Sequence, residues 1–307
     1  MKVAVTGASG MLGRFVVAAL AGHTVVALDR VACPEHCTVL VDMLDRDGLA
    51  AALAGCDAVI HLAAIDGARV ATEDAFYEVN VLGTWNVLSA AERLGLRRAV
   101  VCSSVAALGL RPGAPPQTLP VGVDHRMRPV SAYGLSKQGV ETLAAGFAAR
   151  GRMRVACLRP ALVTFPHQVA EWAAVAAEAD GLPRPPGVAG GAAPGPGADP
   201  ADARLCRAGG RCARLCRGAG GGYRRPVLLL RHRRGHAQPA PDGRGHCGAI
   251  SGAAAGRAAG LFAELPQASP FDLEAARTVL GWSPRDRWRD IVARHGVTAI
   301  SDLPERI

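Results

Sequence analysis

The chain has 307 residues and a formal net charge of +9 at pH 7, long enough for one large α/β domain or one domain with a smaller lobe. No uncharged apolar run approaches the roughly 20 residues of a membrane helix, and the opening MKVAVTGASG lacks the layout of a secretory leader. Nine irregularly spaced cysteines do not resemble a secreted disulfide framework, so a cytoplasmic protein with no membrane partner is expected.

The first half alternates apolar, β-branched runs with helical patterns. KVAVTG (2–7) reads as a strand ending in glycine, and GRFVVAALAG (13–22) as a helix closed by a C-cap glycine. TVVALD (24–29) and TVLVDM (38–43) are strands, RDGLAAALAG (46–55) a short helix and DAVIHLAA (57–64) a strand. One long helix is predicted over 74–95, then the strand RAVVCSS (98–104) and a Pro/Gly-rich loop over 109–129. A helix containing YGLSK (133–137) and the strand RVACLRP (154–160) complete the pattern. Apolar strands alternating with helices imply a parallel sheet covered on both faces.

The first turn, TGASGMLG, spaces Gly7, Gly10 and Gly13 as G-x-x-G-x-x-G between a strand and a helix. The first glycine suits a tight turn, the second a close approach of backbone to a pyrophosphate, and the third close helix–strand packing. Asp29 ends the second strand, where a carboxylate accepts from both ribose hydroxyls of an adenosine and disfavours a 2′-phosphate. NAD is therefore expected over NADP, although Arg30 beside it is able to pair with such a phosphate. Asp42, at the end of the third strand, is a candidate acceptor for the adenine amino group, with Met43 packing beside the ring.

Tyr133 and Lys137 are four residues apart, and so share a helix face. A cation near the phenol favours the phenolate and lowers a pKa that is ordinarily about 10. Such a tyrosine exchanges a proton with a substrate hydroxyl or ketone. In isolation the pair reads as two exposed helix residues; its context decides.

TGASGMLG, Asp29, HLAA (61–64), NVLGTWNVLSAA (80–91), VCSS (101–104), YGLSK and LRP (158–160) stand in the order seen in extended short-chain dehydrogenases/reductases. The chain resembles the NAD-dependent epimerase/dehydratase family, and FDLEAARTVLGWSP (271–284) is similar to that family's closing helix and turn. The resemblance implies a Rossmann-type doubly wound parallel sheet in an NAD-binding domain over 1–164, with a smaller C-terminal substrate lobe over 165–307. It implies NAD held by Gly7, Gly10, Met11, Leu12, Gly13, Asp29, Arg30, Asp42, Met43, Leu62, Ala63, Ala64, Tyr133 and Lys137. Tyr133 becomes the acid/base, Lys137 its partner and ribose contact, and Ser104 the hydroxyl that orients the substrate oxygen, with Ser103 as the neighbouring alternative. His61 and Asn80 are expected to be structural. The aromatic common four residues after the serine is Leu108 here, which puts a substrate contact at that position in doubt. The implied partner is a small-molecule hydroxyl or ketone compound, such as a nucleotide sugar, and a homodimer through 74–95 and 131–150 would be usual.

Residues 181–260 depart from this pattern. Gly, Ala, Arg and Pro make up 58 of those 80 residues, with 13 Arg, no Lys and only nine Ile, Leu and Val. That is too little apolar surface to offset chain entropy. The segment carries the chain's excess charge, so the basicity is no general sign of nucleic-acid binding. Three readings compete: a basic insert binding nucleic acid, a metal cluster, or translation out of frame. The cysteine and histidine spacings match no tetrahedral site, and the loop Cys33–Cys37 lacks a second ligand pair. The frame reading is favoured, because a GC-rich gene read out of frame yields this composition. Shifted by one nucleotide, 204–216 permits GYVALEDVARAF, similar to a family stretch otherwise missing. A chain with the nucleotide fold but no substrate lobe, and hence no catalysis, is the alternative function.

Overall fold

The computed structural model describes residues 1–67, 69, 71–111, 114–161, 163 and 271–284; the 181–260 segment lies outside them. Six strands, β1 (Lys2–Thr6), β2 (Thr24–Asp29), β3 (Thr38–Leu40), β4 (Ala58–His61), β5 (Arg98–Cys102) and β6 (Arg154–Leu158), form one sheet in the order β3-β2-β1-β4-β5-β6. Every pairing is parallel. The helices are α1 (Met11–Ala19), α2 (Arg46–Leu53), α3 (Glu73–Phe76), α4 (Gly83–Arg93), α5 (Ala132–Ala149) and α6 (Glu274–Leu280). The order is that of the doubly wound dinucleotide-binding sheet, with its direction reversing between β1 and β4.

Strand alternation explains the two apolar layers. Val3 and Val5 of β1 join Val16 and Leu20 of α1 on one face. Ala4 between them faces the larger cluster of Leu28, Leu49, Leu53, Val59, Val87, Leu88, Val101, Val140 and Phe147. A strand buried on both faces reads as the continuous apolar run seen in the sequence.

Several predicted elements differ: β4, β5 and β6 end at His61, Cys102 and Leu158, short of the expected 64, 104 and 160. Helix α1 stops at Ala19 with Leu20 as its cap, so Gly22 is not the C-cap. Strand β3 stops at Leu40; Val41 still donates to Asp29 O at 2.9 Å, but Asp42 starts a turn in which it accepts from Leu44. The helix predicted over 74–95 is interrupted by a π-helical stretch, Tyr77–Leu82. There the Thr84 hydroxyl donates to the carbonyl of Asn80, a side-chain competitor for a backbone acceptor. Among the described residues no helix is long and apolar enough to cross a membrane.

Helix α6 is attached to the sheet domain through the 109–129 loop. Phe271 bridges Val121, and Asp272 N donates to Val121 O at 2.9 Å. Gly281, at φ +60°, ends α6 in the left-handed conformation expected of a helix-closing glycine.

Candidate active site

The crossover of strand order places the C-terminal ends of β1 and β4 side by side, with Thr6 opposite His61. Gly7 leaves β1 at φ +69°, and a Cβ there would come within 2.7 Å of Ala63 N. Gly13 faces Gly7 O and Ala8 so closely that no side chain fits. Gly10 caps α1 in an extended conformation and offers no side-chain acceptor to the first-turn N–H groups, which begin with exposed Met11 and half-buried Leu12. This bare, positively polarised helix end beside backbone without side chains fits a pyrophosphate. Leu62 and Ala63 are half-buried and Ala64 exposed on the neighbouring crossover segment.

At the far end of the turn, both oxygens of Asp29 are engaged. Ser9 N donates to one at 3.0 Å and Val31 N to the other at 3.1 Å. Each oxygen keeps a lone-pair direction for a ribose hydroxyl. Arg30 pairs with Asp42 at 3.6 Å, with both side chains exposed. Met43 corrects an expectation: it is 4% exposed and packs against Gly83 within the larger core, leaving little of it for an adenine ring.

The second half of the site lies at the ends of β5 and α5. Ser131 caps α5 by accepting from Gly134 N at 3.1 Å, which brings Tyr133 into the first turn. Lys137 stands one turn on, only 4% exposed, and its Nζ donates to Cys102 O at 3.0 Å. It lies 5.7 Å from the centre of the Tyr133 ring. The Tyr133 ring also meets Phe76 edge to face at 5.9 Å, and Gly67 covers it so closely that a Cβ there would reach 2.8 Å from the ring. Ser104 caps the 3₁₀ turn Val105–Leu108, accepting from Ala106 N at 3.1 Å, and its hydroxyl lies near enough to Tyr133 to favour the phenolate.

These surroundings reverse one expectation. Burial pushes the Tyr133 phenol up to about 12, against the opposing pull of the Ser104 hydroxyl. Burial also lowers Lys137, partly offset by the carboxylates of Asp66 and Glu141 and the thiols of Cys102 and Cys157. Desolvation therefore dominates the phenol in the free protein, and the ammonium of Lys137 does not bring it down.

The neighbouring serines are sorted by their partners. Ser103 is 2% exposed and donates to Glu141 Oε1 at 2.6 Å, whereas Ser104 turns toward Tyr133. Leu108 is buried, so that position presents no substrate-facing surface.

Sequence reasoning passed over Glu141 and Arg159. Arg159, in LRP, donates to both carboxylate oxygens of Glu141 and to Val123 O. A signal was available: Tyr133, Lys137 and Glu141 recur every four residues along one helix face. Asn80 carries more than helix structure, since its amide pairs with both Ile65 N and Ile65 O and also reaches Ser136.

A model of the NAD dependent epimerase/dehydratase family matches residues 3–175. The chain is 37% identical to L-arabinose 1-dehydrogenase (NAD(P)(+)) of Haloferax volcanii, over 52% of this chain and 65% of that protein. It is equally 37% identical to an Escherichia coli O157:H7 N-acetylglucosaminyl-diphospho-undecaprenol 4-epimerase, over 46% of this chain and 41% of the relative. The chain thus spans less than two thirds of these curated relatives. A short-chain dehydrogenase/reductase superfamily protein from Agrobacterium tumefaciens, crystallised with bound NAD, superposes with a TM-score of 0.52 and 34% identity. That match covers 56% of this chain and 52% of the other. The glycine turn, the Asp29 carboxylate and the Tyr133–Lys137–Ser104 cluster thus sit in a family match covering more than half of the sequence: the chain belongs to the NAD-dependent epimerase/dehydratase family.

Proposed function

We propose that the chain binds NAD between the glycine turn and Tyr133, and oxidises or reduces a hydroxyl-bearing or ketone substrate of the sugar or nucleotide-sugar class. The observation that carries this reading is the Tyr133 ring beside buried Lys137, with Ser104 next to the phenol, at the same C-terminal edge of the sheet as the bare N-terminus of α1. Gly7, Gly10, Met11, Leu12 and Gly13 would hold the pyrophosphate, Asp29 the adenosine ribose, and Leu62, Ala63 and Ala64 would border the nicotinamide side. When bound, NAD supplies the hydride acceptor or donor.

The chain's own residues then handle the proton. Ser104 Oγ donates to the substrate oxygen and sets it against Tyr133 Oη. As the phenolate, its own proton having been released, Tyr133 takes the proton from a substrate hydroxyl; as the phenol it gives one to a ketone oxygen. Lys137, held by Cys102 O, keeps a positive charge beneath the phenol and stabilises its ionised form as the proton leaves. Epimerisation and net oxidation share this half-reaction.

The relatives named for sugar and sugar-diphosphate substrates support the substrate class. A homodimer through α4 and α5 is part of the proposal, supported by Tyr77, Leu82, Trp85 and Leu135, which those two helices and the π turn leave exposed. A second reading, a chain that binds NAD without turning over substrate, is favoured by one observation. The family match ends at residue 175, just before the segment of anomalous composition.

The test is NADH binding by fluorescence, followed by NAD-linked oxidation across a panel of aldoses, uronates and nucleotide sugars. Binding with turnover that Tyr133→Phe abolishes supports the enzyme. Binding without turnover supports the second reading, and no binding overturns both.

A further inference from the structure

The topological switch point contains a run of buried polar groups that the proposed chemistry does not use. Thr6 Oγ1 accepts from Leu62 N at 3.2 Å and from Ala63 N at 3.3 Å. Its own proton is therefore directed to His61 Nδ1, 2.7 Å away. On the other side, Thr84 donates to the carbonyl of Asn80. Its oxygen is left to accept from His61 Nε2, at 3.0 Å. The two hydroxyls together assign the ring as the Nε2–H tautomer, an acceptor at Nδ1 and a donor at Nε2. His61 is 3% exposed, and the Thr6, Thr84 and Asn80 side chains are buried with it.

Besides its main-chain carbonyl, Asn80 engages through its side-chain amide. That amide accepts from Ile65 N at 2.8 Å and donates to Ile65 O at 3.0 Å and to Ser136 Oγ at 2.9 Å. Ser136 in turn donates to Tyr133 O at 2.8 Å. Residues 62–67 form a strap between these anchors. At one end its backbone lies against Gly7; at the other, Gly67 covers the Tyr133 ring.

We propose that His61 is a positioning residue: as the Nε2–H tautomer it joins the end of β1 to α4 and so fixes the strap 62–67 between the glycine turn and Tyr133. Each member's direction is set by its neighbours, so removing the Thr84 hydroxyl leaves His61 Nε2–H without its acceptor. The histidine does no chemistry itself; it sets where two halves of the site stand relative to each other. The proposal rests on the dinucleotide reading of the glycine turn.

Thr84→Val removes the link without touching the cofactor or Tyr133, and Thr84→Ser restores the hydroxyl. In the full chain without cofactor, Thr84→Val is expected to speed amide exchange at Ile65 about tenfold. It is also expected to weaken NADH binding about tenfold, with Thr84→Ser returning both to within about twofold of wild type. Unchanged exchange at Ile65 overturns the proposal. So does a lower thermal midpoint with unchanged NADH affinity, the mark of a structural role alone. If the wild type binds no NADH, the dinucleotide reading falls, and the exchange measurement decides the strap. Should Thr84→Val not fold, ¹⁵N shifts of the wild-type imidazoles decide: an Nε2–H tautomer supports the assignment, and an Nδ1–H tautomer overturns it.

Discussion

Arg159 and Glu141 form a two-pronged ion pair, with Nε to Oε1 at 2.8 Å and an Nη to Oε2 at 2.6 Å, around a carboxylate only 1% exposed. The pair ties the end of β6 to the middle of α5, and Ser103 donates into it from the end of β5. Through Val123 O, Arg159 also reaches the loop on which Phe271 and Asp272 dock. Removing one partner leaves the other charge buried. Glu141→Ala should therefore cost about 3 kcal/mol, the lower end of the usual range because Arg159 is partly exposed. The double variant Glu141→Leu/Arg159→Met should recover most of that loss. Urea midpoints of the three proteins check it.

Burial and the nearby Lys137 charge lower His61 from its ordinary 6.5 to about 3. The unfolded chain takes up a proton below pH 6.5 and the folded one does not. Stability from this group is thus complete above pH 6.5 and is lost as pH falls toward about 3. Wild type should lose about 2 kcal/mol between pH 6.5 and about pH 5 on this account, at about 1.4 kcal/mol per pH unit. His61→Gln, which does not titrate, should lose correspondingly less. Denaturant melts at the two pH values, compared between the proteins, isolate the contribution.

Gly13→Ala should both destabilise the fold and disable the cofactor turn. Its Cβ would meet the backbone of Gly7 and Ala8, and backbone cannot swing aside as a flexible side chain does. A loss of about 1 to 3 kcal/mol is expected from overpacking. NADH affinity should fall at least about tenfold, since the pyrophosphate cradle is displaced. Fluorescence titration well below the melting point separates the two effects.

Tyr133→Phe should reduce turnover by at least about a hundredfold while leaving NADH affinity within about twofold, because only the proton-carrying oxygen is removed. The contacts of its ring with Phe76 and Gly67 survive. In the free protein the phenol should remain protonated at pH 10, as its pKa is pushed up to about 12. The phenolate absorbance of wild type at pH 10 should then match that of Tyr133→Phe.

Resequencing the gene across codons 175–265 should reveal compensating shifts of reading frame. The expected product restores a stretch like GYVALEDVARAF in place of 204–216 and removes most of the arginine charge of 181–260. An unchanged reading would favour the chain without substrate turnover.

Periodicity made most of the fold legible. Val, Ala and Thr runs such as KVAVT declared strands buried on both faces, and the glycine spacing declared a turn that a Cβ would block. The left-handed Gly7 is what the tight turn out of β1 requires, whereas the strand order is a property of the assembled sheet. The π-helical stretch was not legible, because a break in a helix that stays helical leaves the 3.6-residue apolar pattern nearly intact.

The amino-acid order by itself determined the alternating α/β architecture, the glycine turn and the placing of Tyr133 and Lys137 on one helix face, since those depend on residues a few positions apart. Only the tertiary structure decided which serine faces the tyrosine, that Met43 belongs to the core, and that burial sets the phenol. It alone joined Thr6, His61, Thr84 and Asn80 into one directed series. The physical reason is that hydrogen-bond direction and desolvation depend on partners brought together from distant parts of the chain, and local periodicity carries no record of them.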